Sequence, residues 1–348
     1  MARSKKVIME KQTILVTGGA GYIGSWVVKG LLEKEHIVRV SVRDKSKTEK
    51  YQHLFDIEKQ TKGKLELWEA NLTKDGSFDE ATNGCDAIIH MASPFILDHK
   101  NAQENLINPA LNGTKNVLNA ANKSNTVKRI VLTSSVAAVL GDNIDMQEQG
   151  LSEFNEDIWN TTSSVEHQPY SYSKVLAEKE AWKIEETQDK WKLVVINPSF
   201  VMGPALTKTS NSGSISFMND VLAGKFKTGA PDLQFAFVDV RDVANAHILA
   251  LENKNTNGRH ILVERVMNVL DMSKIIESSF PKKYKLPKMK APKFLVMLLA
   301  PVFGITREFV KRNVGYSIKF NNKKSLNKLG LTYTPIEKTI KDMVDWMG

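Results

Sequence analysis

Short runs rich in valine, isoleucine and leucine punctuate the first two hundred residues. They are Thr13-Ile-Leu-Val-Thr17, Ile37-Val-Arg-Val-Ser-Val42, Leu65-Glu-Leu-Trp-Glu-Ala70, Ala87-Ile-Ile-His-Met91, Arg129-Ile-Val-Leu-Thr133 and Leu193-Val-Val-Ile-Asn197. Between them lie stretches that read as helices: Tyr22 to Lys34, a segment in the fifties, a short one near Phe78, Asn101 to Asn122, and His167 to Glu186. Strands alternating with helices predict a doubly wound α/β fold, with a parallel sheet covered by helices on both faces and right-handed connections. Ligands in such a fold sit at the carboxyl ends of the strands. Beyond Pro198 the rhythm loosens, and glycine, serine and threonine crowd Met202 to Ser216. Residues 1–200 are therefore expected to form the sheet domain and residues 201–348 mainly a smaller lobe, with the chain rejoining the sheet over about 235–262.

The first run leads directly into Gly18-Gly-Ala-Gly21-Tyr-Ile-Gly24 and then Ser25-Trp-Val-Val28, the order strand, glycine turn, helix. Gly18 can take backbone angles closed to other residues, Gly21 has no Cβ to keep a pyrophosphate from the backbone amides, and Gly24 lets helix and strand pack closely. The helix start then offers free N–H groups and a partial positive charge to an anion. Alone, such a turn is a weak sign. The end of the second strand carries more information, because an acidic residue there takes the ribose 2′-hydroxyl of NAD whereas basic groups take the 2′-phosphate of NADP. Arg43 follows Val42, and its planar fork suits both adenine stacking and phosphate pairing. Lys47 and Lys50 lie nearby, while Asp44 could take a 2′-hydroxyl instead. NADP(H) is expected over NAD(H).

Tyr170-Ser-Tyr-Ser-Lys174 falls in a helical stretch, and residues four apart are about 40° apart around a helix axis, so Tyr170 and Lys174 share a face. An ammonium near a phenol lowers a pKa that starts near ~10, toward the range of an acid/base catalyst. The tyrosine can then give its proton to a carbonyl oxygen as hydride reaches the carbon. A packed tyrosine beside a solvated lysine is the structural alternative. Thr133-Ser-Ser135 closes the fifth strand at the ligand edge, where a serine hydroxyl can share the charge developing on that oxygen. Ser134 and Ser135 point to opposite faces, so one of them is expected to reach the site; hydrogen bonding at a strand end is the alternative for either.

Together, Thr17-Gly-x-x-Gly-x-x-Gly24, Thr133-Ser-Ser, Tyr170-x-x-x-Lys174 and Asn197-Pro-x-x-Val-x-Gly-Pro204 resemble the extended short-chain dehydrogenase/reductases. Within them the chain is similar to the NADPH-dependent dihydroflavonol reductase, cinnamoyl-CoA reductase and methylglyoxal (aldehyde) reductase branch, through Tyr170 to Trp182 and Phe237 to His247 as well. The likeness runs from about residue 12 to 345. It implies a Rossmann-type NADP-binding domain over residues 1–200 and a substrate-binding lobe over 201–348. It further implies Ser135, Tyr170 and Lys174 as a catalytic triad, with Lys174 also holding the nicotinamide ribose. Thr17, Gly18, Gly21, Tyr22, Ile23 and Gly24 would hold the pyrophosphate end, with Arg43, Lys47, Asn71 and Leu72 around the adenosine. Ala92, Ser93 and Thr133 would lie along the cofactor, and Pro198 and Val201 near the nicotinamide. Asn71-Leu72 stands where the family often has Asp-Leu. Leu140 stands where flavonoid enzymes carry an asparagine, so a flavonoid substrate is not expected. Phe95, Leu140, Phe200 and Met202 are candidates for the substrate pocket, with a plain core role as the alternative for each.

Composition narrows this further. Forty-eight basic against 39 acidic residues give a net charge of +9, but the basic residues read as scattered and do not alternate with stacking aromatics, so no nucleic-acid partner is expected. The single cysteine, Cys85, excludes an intrachain disulfide and suits a reducing, cytoplasmic setting. No metal site is expected. The start of the chain is basic but meets Glu10 and Lys11 after three apolar residues, so no signal peptide is expected. The longest apolar stretch, Phe294 to Ile305, is broken by Pro301 and Gly304 and is too short to span a bilayer. A packed helix is expected there, with a membrane-surface or acyl-chain contact as the alternative. The expected function is NADPH-dependent reduction of an aldehyde or ketone by a monomer or homodimer, with Tyr170 as general acid. The rivals are an NAD-retaining sugar-nucleotide epimerase/dehydratase or hydroxysteroid-type dehydrogenase, and a non-catalytic NADP(H)-sensing protein.

Overall fold

The computed structural model describes residues 10–93, 101–210 and 212–348. Its strands are β1 (Thr13–Thr17), β2 (Ile37–Val42), β3 (Lys64–Glu69), β4 (Ala87–His90), β5 (Arg129–Thr133) and β6 (Lys192–Pro198), followed by six more. These are β7 (Phe200–Met202), β8 (Ala230–Pro231), β9 (Phe235–Asp239), β10 (Gly258–Leu262), β11 (Arg265–Met267) and β12 (Lys290–Ala291). Seven of them form one parallel sheet in the order β10-β6-β5-β4-β1-β2-β3. The order reverses between β1 and β4, which opens a crevice at their carboxyl ends.

The strands are apolar on both faces because both are covered. Val16 and Val40 pack with Val27, Leu31, Val243 and Leu251 from the helices Tyr22–Glu33 and Val240–Glu252. Leu15, Ile88 and Ile130 pack on the other side with Val117, Ala121 and Ala181 from the helices Asn108–Lys123 and Pro169–Glu185. A third core, built around Met202, Met218, Phe237, Met272 and Met343, belongs to the C-terminal part of the chain.

Three departures from the sequence pattern have physical causes. The return to the main sheet is made by β10 alone; Phe235–Asp239 pairs instead with β7 and β11 in a separate small sheet. Pro198 has no N–H with which to prolong the main ladder, and the rings of Phe200, Phe235 and Phe237 pack 5.7 to 6.2 Å apart on the small one. The helical stretch after Asn101 starts as a wide π-turn at Gln103–Ile107 before the α-helix proper, because Pro109 cannot donate back to Asn105. Finally, Phe294 to Ile305 forms a helix at Lys293–Leu299 and a tight turn at Ala300–Phe303, but among its described side chains only Val296 and Ala300 are buried in a core. The packed helix expected there packs on one side only. No helix among the described residues is long and apolar enough to cross a membrane.

Candidate active site

The turn after β1 is possible only with glycines. Gly18 has φ +72°, and a Cβ on it would lie 3.0 Å from the amide nitrogen of Ala92. A Cβ on Gly24 would come to 2.1 Å from the carbonyl oxygen of Gly18. The helix Tyr22–Glu33 therefore meets the turn at backbone contact, and its N-cap, Gly21, has no side chain to close off the first amides. This is a cradle that fits a pyrophosphate. Gly18, Gly21, Tyr22, Ile23 and Gly24 all line a cleft of about 740 Å³ at the strand ends. Thr17 does not. Fully buried, it accepts hydrogen bonds from the amides of Met91 and Ala92, both at 3.1 Å, and shares one with Nδ1 of His90 at 2.7 Å. It thus ties β1 to the loop after β4, which brings Ala92 and Ser93 to the cleft wall. Burial holds His90 neutral, its pKa lowered to about 3. Tyr22 donates to the carbonyl of Gly203 at 2.6 Å and Trp26 to that of Pro204 at 3.0 Å, tying the cradle to the turn after β7.

At the end of β2, Asp44 is folded into its own turn. Its carboxylate accepts from the amide and hydroxyl of Ser46, at 3.0 and 2.5 Å, and faces Lys47 at 3.2 Å. The Ser46 hydroxyl first, then Lys47, hold its carboxyl below the usual range. Arg43 beside it is exposed. Asn71 spends its side-chain oxygen on Thr73, at 3.0 and 2.9 Å, and Leu72 packs toward Gly113. None of Arg43, Lys47, Asn71 and Leu72 is among the described residues that line the cleft.

The two serines after β5 diverge. Ser134 is buried and donates to Glu178 at 2.5 Å. Ser135 lines the cleft and shares a hydrogen bond with Tyr170. Thr133, also in the cleft wall, bonds His247 at 2.6 Å. Tyr170 and Lys174 lie on one face of the helix Pro169–Glu185, with the ammonium 5.6 Å from the ring centroid. The phenol is not lowered as expected: burial pushes it up, and it is the hydrogen bond with Ser135 that opposes the rise. Burial also lowers Lys174 to about 8, with the Glu178 carboxylate one turn further on holding it from falling more.

Two groups behind the site went unread in the sequence. Glu178 accepts from Asn197 at 2.8 Å and from Arg259 at 2.6 Å as well as from Ser134. Its spacing of four from Lys174 was the available signal. Asp142, with no exposed surface, accepts from Gln168, Arg312 and Asn313, each at 2.6 Å, and bonds His167 at 2.8 Å. Gln168, at φ 55°, is the left-handed residue that starts the helix carrying Tyr170 and Lys174. These partners lie up to 171 residues apart in the chain, so no local pattern announces them.

Leu140, Phe200 and Val201 line the cleft, while Met202 is fully buried in the third core. Pro198 is buried and its carbonyl faces the Ser135 hydroxyl at 3.5 Å; Phe95 lies outside the described residues. The far wall comes from Leu233, Phe235, Phe309, Ile318 and Phe320, none of which the sequence marks. No charged side chain is among the described residues that line the cleft. Nor do three or more described His, Cys, Asp or Glu side chains gather as a metal site.

A parallel sheet whose strand order reverses above a glycine-built helix start is the architecture of the dinucleotide-binding α/β proteins. Residues 14–264 match the NAD dependent epimerase/dehydratase family, and the chain belongs to it. This agrees with the extended short-chain dehydrogenase/reductase motifs. The chain is 36% identical over 335 residues to a cinnamoyl-CoA reductase of Medicago truncatula, covering 95% of this chain and 94% of the relative. Its fold is similar to that of Gre2 from Candida albicans in complex with NADPH, with TM-score 0.78, 30% identity, and coverage of 97% and 98%. It also resembles yeast methylglyoxal/isovaleraldehyde reductase complexed with NADPH, with TM-score 0.77, 28% identity, and coverage of 96% and 98%.

The burial of Glu178 makes it sensitive to substitution. Glu178→Gln leaves Arg259 charged and unmatched in the interior, so unfolding in urea is expected to show a loss of about 3–5 kcal/mol. A loss below about 1 kcal/mol, the scale of a surface pair, would mean that the pair contributes little to the fold.

Proposed function

We propose that this protein reduces an aldehyde or ketone to the alcohol, using NADP(H) in preference to NAD(H). The observation that carries the reading is the meeting of Tyr170 and Ser135 in the wall of a cleft that the glycine cradle also lines, with the buried Lys174 one helical turn on from Tyr170 and on the same face. Two solved relatives bound to NADPH and a reductase relative over nearly the whole chain support it. NADPH, when bound, supplies the hydride.

The roles of the chain's own residues follow from their surroundings. Burial keeps the Tyr170 phenol protonated at neutral pH, the state a general acid needs to donate to the carbonyl oxygen. Ser135, in hydrogen-bond contact with that phenol, orients the oxygen and shares its developing charge. Lys174 grips the nicotinamide ribose and, while protonated, stabilises the phenolate that proton donation leaves behind. Arg43 pairs the 2′-phosphate, since Asp44 is already occupied by Ser46 and Lys47. The cradle of Gly18, Gly21 and Gly24 holds the pyrophosphate. A wall of Phe200, Phe235 and Phe309, with no charged residue among the described ones that line it, suits a small carbonyl compound with an apolar body. A sugar nucleotide would bring a diphosphate and find no counter-charge among those described lining residues.

NADPH oxidation against a panel of aldehydes, ketones and CoA thioesters, repeated with NADH, tests the assignment. Tyr170→Phe is expected to lower kcat at least roughly 100-fold while NADPH binding, followed by fluorescence, persists. Retained turnover with every active carbonyl would overturn the mechanism. Arg43→Ala should raise KM for NADPH by roughly 10- to 100-fold and leave that for NADH unchanged; equal effects on both would remove Arg43 from the phosphate. For pH, Lys174 carries its proton below about 8 and loses it as pH rises through that value. The kcat/KM for reduction should therefore fall on the alkaline side of about 8, and in Lys174→Arg the residual activity should lose that limb, because arginine stays protonated. A wild-type limb that persists unchanged in the arginine variant would assign it to another group.

A further inference from the structure

The positive charge of the chain is not evenly spread. From Pro281 to Arg307 there are six lysines, one arginine and no aspartate or glutamate, so this stretch holds seven of the nine net positive charges. The scatter read from the sequence fails here. Lys282, Lys283, Lys285, Lys288 and Arg307 are exposed, and none of them forms an ion pair with a carboxylate among the described residues. Lys290 alone of the run does, with Asp232 at 2.8 Å.

The run leads into the half-packed helix Lys293–Leu299. Val296 and Ala300 face inward, onto Val310 and Val314. Phe294 and Leu298, four apart and so on one side of the helix, are 75% and 63% exposed, and Val302 in the turn that follows is 79% exposed. Leu295 and Leu299 add a second, half-exposed row, and Met289 beside them is 60% exposed. Six of the seven large hydrophobic residues that are exposed among the described ones thus fall within fourteen consecutive positions. Scattered exposed leucines need no explanation; a contiguous face of this kind does.

We propose that this face attaches the protein to an anionic lipid surface. Aliphatic and aromatic side chains enter the boundary between headgroups and acyl chains, while the lysines meet anionic headgroups. Charge complementarity selects this occupant over a second copy of the chain, because a two-fold contact would set the same five exposed cations without carboxylate partners against themselves. The attachment is built into the site's own support. Val310, which receives Val296, lies on the helix Arg307–Asn313 with Phe309 and Asn313 of the cleft lining.

Co-sedimentation of the full chain with phosphatidylcholine vesicles, alone or mixed with phosphatidylglycerol, tests the proposal. The protein is expected to pellet with the mixed vesicles and not with phosphatidylcholine alone, and to be released as salt rises from about 0.1 to about 0.5 M. Phe294→Ser/Leu298→Ser/Val302→Ser and Lys282→Glu/Lys285→Glu/Lys288→Glu alter only exposed side chains. Each should weaken binding at least about ten-fold with the melting temperature and circular dichroism spectrum unchanged. Absence of binding to the mixed vesicles, or equal binding by both folded variants, would overturn the proposal. So would a dimer in analytical ultracentrifugation that the serine variant converts to monomers, since the face would then be covered by a second copy.

Discussion

The buried carboxylate of Glu178 is the constraint on which the site depends. It sits on the helix that carries Tyr170 and Lys174, and it receives Ser134 from the end of β5, Asn197 from β6 and Arg259 from β10. An unmatched charge at that depth would be strongly destabilising. The Arg259 guanidinium at 2.6 Å supplies the match and is itself held by the carbonyls of Glu156 and Ile158, at 2.9 and 2.7 Å, and by the face of Trp159 at 4.0 Å. Because every partner is directional, the helix has one orientation against the sheet in which all are satisfied. That orientation turns Tyr170 to the cleft and leaves Ser134 behind it.

Asp142 plays the matching part at the helix start. By holding Gln168 in a left-handed conformation and gripping Arg312 and Asn313, it joins the loop after β5 to the C-terminal part of the chain. The cleft is thereby closed between a polar side at the strand ends and an apolar side to which Leu233, Phe235, Phe309, Ile318 and Phe320 contribute. The same burial acts on both titratable groups: taking the phenol and the ammonium out of water raises one and lowers the other to about 8, so that both charged forms are disfavoured.

The glycine cradle works by a different physics. The attraction comes from the amides and dipole of the helix start, and the absence of side-chain atoms is what lets an anion reach them. With a Cβ on Gly24 the helix start would be pushed off the turn, and the amides that face the crevice would no longer converge. Thr17, one residue before the turn, completes the arrangement from below by fastening the loop that forms the opposite wall.

What the sequence determined by itself was whatever follows from neighbours along the chain. Strand runs such as Ile37 to Val42 and Arg129 to Thr133, the glycine turn, and the common face of Tyr170 and Lys174 depend on periods of two and 3.6 residues, which local sequence records. The apolar stretch from Phe294 was equally legible, but the basic run before it reads as scatter, and that one side of that helix would be left uncovered was not legible. Tertiary structure alone decided which serine turns to the cleft, because Glu178 is 44 residues from Ser134. It also took Met202 into a core while leaving Phe200 in the wall, and folded Asp44 away beside an open Arg43. It sent Phe235 to Asp239 into a sheet of its own. Burial and hydrogen-bond partnership are properties of assembled surfaces, and the residues that supply them here come from elements that the sequence keeps far apart.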